Sequence, residues 1–167
     1  TNTFVQSITV PVEGGNRVTN YTYNSNNQII QVDITAPKND GSSTTLTKNY
    51  HFDYNNLGQL IEAKSPMYSS SFNDKISLTY NSNGQIATVT NGLGHVTTYN
   101  SYDDYGNPTQ ITMPNGSVQI MTYDLRGRLL SSNLKSSSTA NDNETTSFVY
   151  DNAGQVIQMT KPSGSSI

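Results

Sequence analysis

From Tyr123 to Leu130 the chain reads YDLRGRLL, and from Tyr150 to Ile157 it reads YDNAGQVI. Each is a tyrosine, an Asp or Asn, two free positions, a Gly or Asn, and then Gln, Arg or Asn. The pattern also fits YNSNNQII from Tyr23, YNNLGQLI from Tyr54, YNSNGQIA from Tyr80 and YDDYGNPT from Tyr102. The copies recur every 20 to 30 residues or so, about the size of small solenoid-type units. Before the tyrosines, large side chains alternate with small ones, as in Tyr21-Thr-Tyr23, Phe52-Asp-Tyr54 and Met121-Thr-Tyr123, which is strand periodicity. The Asn or Asp that follows can bond the amides ahead of it and open a turn. Gly58, Gly84, Gly106, Gly127 and Gly154 suit a left-handed residue closing a hairpin loop. Asn27 holds that place in the first copy, and Asn is the side chain best tolerated there. A second alternating strand follows, with Ile30 and Val32, Ile61 and Ala63, or Ile157 and Met159 on one face.

Pro/Gly stretches close the units: APKNDG at 36–41, NGLG at 91–94, MPNG at 113–116 and KPSG at 161–164, with VPVEGG at 10–15 as an earlier copy. Proline cannot continue a ladder, so these stretches read as strand breaks. Ser/Thr/Asn-rich inserts at 40–49, 67–75 and 134–146 read as longer surface loops or hairpin ends. The expected fold is all-β, a repeat array of antiparallel β-hairpins forming a strip or solenoid-like sheet. It is read as a single domain over 1–167, with incomplete repeats at both ends. FVQSITVP from Phe4 aligns with the strand VIQMTKP from Val156, so a half unit is expected at each end. Exposed strand edges recruit strands, and the expected partner is the protein itself, through its sheet edges or through further repeats of the same chain.

Alternating strands joined by tyrosine turns and Pro/Gly turns resemble the YD repeats of the Rhs family, over about residues 20 to 167. That family includes bacterial polymorphic toxins, insecticidal toxin complexes and animal teneurins. The resemblance implies a strip of antiparallel hairpins, which in the family spirals into a hollow shell around a polypeptide cargo. Some members end the shell with a self-cleaving motif of the DPxG type. No such segment occurs here and no toxin-like domain follows, so the hairpin architecture carries over and the enclosing and processing functions do not.

Composition sets limits on chemistry. Hydrophobic residues make up 32% and charged residues 13%, with a net charge of -3 and 11 tyrosines. Low charge with regularly spaced apolar residues argues for order. Nine Lys+Arg and a pI near 5.1 give no basic patch for nucleic acid, and no apolar run is long enough for a membrane span. With no cysteine there is neither a disulfide framework nor a thiolate metal site. His51 and His95 lie near no nucleophile motif, and Asp103-Asp104 reads as a solvated turn. The sequons at Asn20, Asn115 and Asn143 are what chance gives in a chain this rich in Asn, Ser and Thr. The expectation is therefore a non-enzymatic protein with no catalytic residue, cofactor or metal, serving as a structural β-repeat module of a secreted or cell-surface protein. Two alternatives stand beside it: a carbohydrate-binding or adhesive module, and a fragment of an Rhs toxin-encapsulating shell. Tyr23, Tyr54, Tyr80, Tyr102, Tyr123 and Tyr150 are read as structural, with the ring in a core and the hydroxyl on a neighbouring turn. Tyr68 and Tyr105 are the candidates for contact with a partner such as a surface glycan.

Overall fold

The structure, a computed structural model, describes residues 4–38, 44–69, 71–140 and 144–162. Asn143, the far parts of the inserts at 40–43 and 141–143, and the end of the KPSG stretch from 163 onward lie outside them. Thirteen strands follow one another: β1 (Ser7–Val12), β2 (Gly15–Tyr23), β3 (Ile29–Pro37), β4 (Thr45–Tyr54), β5 (Leu60–Lys64), β6 (Lys75–Tyr80), β7 (Ile86–Asn91), β8 (Val96–Tyr102), β9 (Pro108–Thr112), β10 (Val118–Tyr123), β11 (Leu129–Lys135), β12 (Glu144–Tyr150) and β13 (Val156–Thr160). Their order in the sheet is their order in the chain, and there is no helix among the described residues. The fold is an all-β array of antiparallel hairpins, as the alternation and the turn residues required.

Two compact units divide the chain, one of Thr1–Leu78 with Thr90–Gly94, the other of Thr79–Val89 with His95–Ile167. In the first, β1 to β6 pair successively, from Ser7 opposite Asn20 to Lys64 opposite Lys75. In the second, β8 to β13 do the same. Every strand that ends in a repeat tyrosine, from β2 to β12, lies inside the order, and the two edge strands, β1 and β13, do not.

The hairpins share one irregularity. Tyr23 pairs with Ile29 while Thr22 pairs with Gln31, so Ile30 is skipped. The same shift skips Ile61, Thr109, Leu130 and Ile157. One extra residue after a left-handed turn residue is a β-bulge, which increases local twist and frees the backbone of the skipped residue from its own hairpin.

Along β4, Tyr50, Phe52 and Tyr54 are half-buried while His51 and Asp53 are exposed, the period-2 pattern of a one-sided sheet. The exposed face is linked by hydroxyl pairs, Thr79 with Thr88 at 2.6 Å, Ser101 with Thr109 at 2.7 Å and Thr122 with Ser131 at 2.7 Å. Side chains of this kind explain how so polar a chain forms strands. Full burial is rare: among the described residues only Val118 and Met121 are buried, both in β10. The repeat tyrosines, expected in a core, are half-buried instead, because no helix of the described residues covers the face on which they stand.

Candidate functional site

The most regular feature of the molecule is the tyrosine turn. In all six, the amide of the Asn or Asp donates to the carbonyl four residues on, as from Asn24 to Gln28 and from Asp124 to Arg128. The amide of the Gly or Asn donates back to the carbonyl of that same Asn or Asp. Closing the turn this way requires positive φ: 78° at Gly58 and Gly84, 86° at Gly106, 75° at Gly127, 89° at Gly154 and 62° at Asn27. Asn27 is the only non-glycine residue with positive φ among those described.

Side chains lock the turn. Asn24 Oδ1 accepts from the amides of Asn26 and Gln28, at 2.9 and 3.0 Å. Asn55, Asn81, Asp103 and Asp124 repeat this double acceptance. Where the residue is Asn, its second atom is a donor, and Gln supplies the acceptor: Asn24 with Gln28, Asn55 with Gln59 and Asn81 with Gln85, at 2.9–3.1 Å. Where it is Asp, the second oxygen needs a donor. Asn107 provides one to Asp103 at 2.9 Å, and Arg128 provides one to Asp124 at 2.6 Å. Hydrogen bonds to the charged form stabilise it. The Asn107 side chain above all holds the Asp103 carboxyl below its usual range. At Asp124 the Arg128 amide is the chief cause of the same lowering, followed among the attractive contacts by the Arg128 side chain.

The position five after the tyrosine also reaches forward. Gln28 Nε2 donates to the Gly58 carbonyl of the next turn at 2.7 Å. Arg128 lies 4.5 Å from the Tyr150 ring centroid, a cation-π contact, with Nη1 3.4 Å from the Asp151 carbonyl. A Cβ added to Gly58 would stand 3.3 Å from Gln28 Nε2, and one on Gly154 would stand 3.6 Å from Arg128 Nη1. These turns are therefore pressed against the bridging side chain of the turn before.

The tyrosines complete the link. Tyr54 donates its hydroxyl to the Ile29 carbonyl at 2.8 Å, Tyr102 to Ile86 at 2.6 Å, Tyr123 to Pro108 at 3.1 Å and Tyr150 to Leu129 at 2.8 Å. Each acceptor is the sixth residue after the preceding tyrosine. Tyr23 makes the equivalent bond to Val5 at 2.7 Å, and the Tyr21 amide donates to the Gln6 carbonyl at 2.9 Å. Burial raises the Tyr102 and Tyr123 hydroxyls above the usual phenol range, so they remain donors at neutral pH. Tyr80 is likewise half-buried, at the end of β6.

The two contact candidates stand apart from this system. Tyr105 is 68% exposed at the tip of its turn in the second unit. Tyr68, in the first unit, is 39% exposed, with Lys64 Nζ 5.5 Å from its ring centroid. His51 is exposed in β4. Among the described residues no cluster of three or more His, Cys, Asp or Glu could hold a metal ion, and no helix is long and apolar enough to cross a membrane. The forward reach of the fifth position and the carbonyl acceptor at the sixth are the functional features that the repeat pattern alone did not reveal. The first had a partial signal, Asn facing Gln in three copies and Asp facing Asn107 or Arg128 in two, although Asp151 faces Gln155 in the sixth. The second had none, since a backbone carbonyl leaves no mark in a sequence.

A sequence profile of the RHS Repeat family matches residues 80–118 and 123–166. No curated protein sequence gives a significant match. Among solved structures, the chain is similar to TcdB2-TccC3-Cdc42, at 17% identity and a TM-score of 0.63 over 86% of this chain and 8% of that one. It is similar to TcdB2-TccC3 without its hypervariable C-terminal region, at 17% identity and a TM-score of 0.64, with the same coverage. The Tc holotoxin pore of Photorhabdus luminescens gives 18% identity and a TM-score of 0.62 over 86% of this chain and 7% of that one. The chain thus spans less than a tenth of the length of these three structures.

Proposed function

We propose, from the premise that this chain belongs to the Rhs/YD-repeat family, that it is a non-enzymatic structural segment: a stretch of hairpin wall in a secreted or cell-surface Rhs-type array. The observation that carries the proposal is the repeated tie from the hydroxyls of Tyr54, Tyr102, Tyr123 and Tyr150 to the carbonyl six residues after the repeat tyrosine before. A tie that depends only on position within a repeat lets units be added without a new interface, which is what a wall requires and a single active site does not. Similarity in fold to toxin-complex chains many times longer supports a role as one part of a larger shell. The polar outer face and the absence of cysteine suit a wall held by hydrogen bonds.

The test is modular surgery. Deleting residues 102–122, one whole repeat from tyrosine to tyrosine, and separately duplicating them, leaves every remaining tyrosine with an acceptor. Both variants are expected to give the strand-type circular dichroism of the parent and a cooperative melt. Collapse of both would overturn the wall reading. A glycan array run on the parent chain addresses the adhesive reading: saturable binding that is lost in Tyr68→Ala or Tyr105→Ala would replace a wall with a recognition module.

A further inference from the structure

The first three tyrosine turns open with Asn24, Asn55 and Asn81, and the three that follow open with Asp103, Asp124 and Asp151. Their first side-chain oxygens do the same work, each accepting from the amide four residues on. The second atoms differ in what they meet. In the Asn turns a donor, Nδ2, faces a Gln oxygen. Asp103 Oδ2 accepts from Asn107 Nδ2 at 2.9 Å, and the Asn107 side chain has no other bond among the described residues. Asp124 Oδ2 accepts from Arg128 Nε at 2.6 Å. Asp151 Oδ2 has no partner among the described residues, its Oδ1 alone being held, by the Gln155 amide. The charged groups around Asp124 are Arg126 and Arg128 on its own turn, Asp103 and Asp104 on the turn before and Asp151 on the turn after; of these only Arg128 is ion-paired with it. The Arg126 guanidinium turns instead to the Asn152 carbonyl at 3.4 Å. The neighbouring phenols, Tyr123 and Tyr150 among them, stay protonated in acid.

We infer that the Asp124–Arg128 turn is an acid-sensitive link among tyrosine turns that otherwise keep their bonds in acid. A protonated carboxyl carries an O–H donor, and Asp124 meets only donors: two amides and a guanidinium that has no acceptor to offer. Asp103 is placed differently. Rotating the Asn107 side-chain amide by half a turn presents its oxygen to the new hydroxyl, and the pair then matches Asn24 with Gln28. Asp103 is also held low, chiefly by Asn107, so its turn weakens in acid but keeps every bond. Asp151 has no bond on its second oxygen to lose, and the Asn turns do not titrate. Once Asp124 is neutral, Arg128 loses the anchor that holds it over the Tyr150 ring and beside the Asp151 carbonyl. The link between the fifth and sixth copies then slackens. The Asp124 carboxyl lies below the usual 3.8, first because of the Arg128 amide, and binds fewer protons folded than unfolded. Its grip is full above pH 3.8 and fails as pH falls through the lower folded value. This response belongs to the turn itself and is independent of the wall reading.

Amide hydrogen exchange of the full chain, followed residue by residue by NMR from pH 6 down to pH 2.5, reads each turn separately. The Arg126 and Arg128 amides are expected to lose about tenfold in protection in acid, the worth of a hydrogen bond to a charged group. Those of Tyr105 and Asn107, and of Asn26 and Gln28, are expected to keep theirs to within about threefold. Asp124→Asn sets a second donor against Arg128. It is expected to show the acid level of protection already at pH 6, with no further response to pH. Asp124→Asn combined with Arg128→Gln reproduces the pair of Asn24 with Gln28 and is expected to restore protection at every pH, a rescue that the loss of a merely structural side chain would not give. Equal loss at the Asp103 and Asp124 turns, full protection of the Arg126 and Arg128 amides at pH 2.5, or failure of the double variant to recover would each overturn the inference. The deletion and duplication of residues 102–122 test the wall whichever way these results fall, so the two readings fail separately.

Discussion

At the tyrosine end of the β10–β11 hairpin, Asp124 holds two amides and Arg128, Gly127 turns the chain, and Tyr123 bonds the Pro108 carbonyl. The connection from β5 to β6 is built differently. There the Ser65 amide donates to the Asp74 carbonyl and the Tyr68 amide to Ser65, while Glu62 is gripped by Lys64 at 2.7 Å and by Lys75. The turn backbone of the first arrangement recurs in all six copies and the tyrosine bond at Tyr23, Tyr54, Tyr102, Tyr123 and Tyr150, while the second arrangement occurs once among the described residues. A turn that must receive its neighbour is fixed in length and chemistry. The opposite connection owes nothing to the next repeat's tyrosine, and it carries the inserts that make the repeats unequal. If that division is right, damage at a tyrosine turn loosens two repeats, and damage at the opposite connection loosens one.

The largest expected effect tests the first half of that statement. Tyr123→Ala removes a half-buried ring, its bond to Pro108 and a contact of the hydroxyl with Met121 Sδ at 3.3 Å, Met121 being with Val118 one of the two buried residues among those described. Loss of a partly buried aromatic costs about 3 kcal/mol, and the exposed Tyr105→Ala is expected within about 0.5 kcal/mol of the parent. Denaturant unfolding compares them. Equal midpoints would remove the tyrosine from the architecture and leave the turn backbone alone to hold the repeats.

Much of the tyrosine end was legible because each repeat states it afresh. The turn, its left-handed residue and even the Asn27 exception follow from local chemistry that six copies repeat. The acceptor carbonyls were not legible: Val5, Ile29, Ile86, Pro108 and Leu129 share a position and nothing in their side chains. Burial was misjudged for a related reason. Alternation in β4 shows which side chains share a face, but not whether anything covers that face. The opposite connections were least legible, since contacts that occur once, such as Asn73 with Gly92, have no second copy to compare.

That contact supplies the next comparison, between glycines kept for different reasons. A Cβ on Gly92 would lie 1.7 Å from the Asn73 carbonyl oxygen, whose own side chain donates to the Gly92 carbonyl at 3.0 Å. Backbone cannot yield as a flexible side chain can, so Gly92→Ala is expected to cost about 2 kcal/mol. At Gly127 the nearest atoms to a Cβ are 3.8 Å away and only φ is restrictive. Gly127→Asn should therefore cost less than about 1 kcal/mol, since Asn27 already adopts that conformation, and Gly127→Val about 1–2 kcal/mol. Thermal melts rank the three. If Gly127→Asn proves as damaging as Gly92→Ala, the turn glycines are serving close approach and the distinction between the two ends fails.

The smallest effect concerns charge at the β5–β6 connection. Hydrogen bonds from Lys64 and then Lys75, against the opposing effect of burial, hold the Glu62 carboxyl at about 2, from a usual 4.5. Lys64 is shared with Asp53 at 3.1 Å and is itself raised, chiefly by its bond to Glu62. A carboxyl whose pKa falls on folding binds fewer protons in the folded state than in the unfolded one. Its stabilisation is complete above pH 4.5 and is lost as pH falls from there toward 2. All three side chains of this group are about a fifth to a quarter exposed, so solvent reduces the gain to about 1 kcal/mol. Urea unfolding of the parent and of Glu62→Gln, followed from pH 6 down to pH 2, should therefore converge in acid, with the variant less stable at pH 6 and nearly equal at pH 2. Parallel curves would mean that the ion group adds nothing to folding. The β5–β6 connection would then be held by its uncharged bonds, among them those of Ser65 with Asp74 and Tyr68, and the contrast with the tyrosine turns would be one of geometry and not of charge.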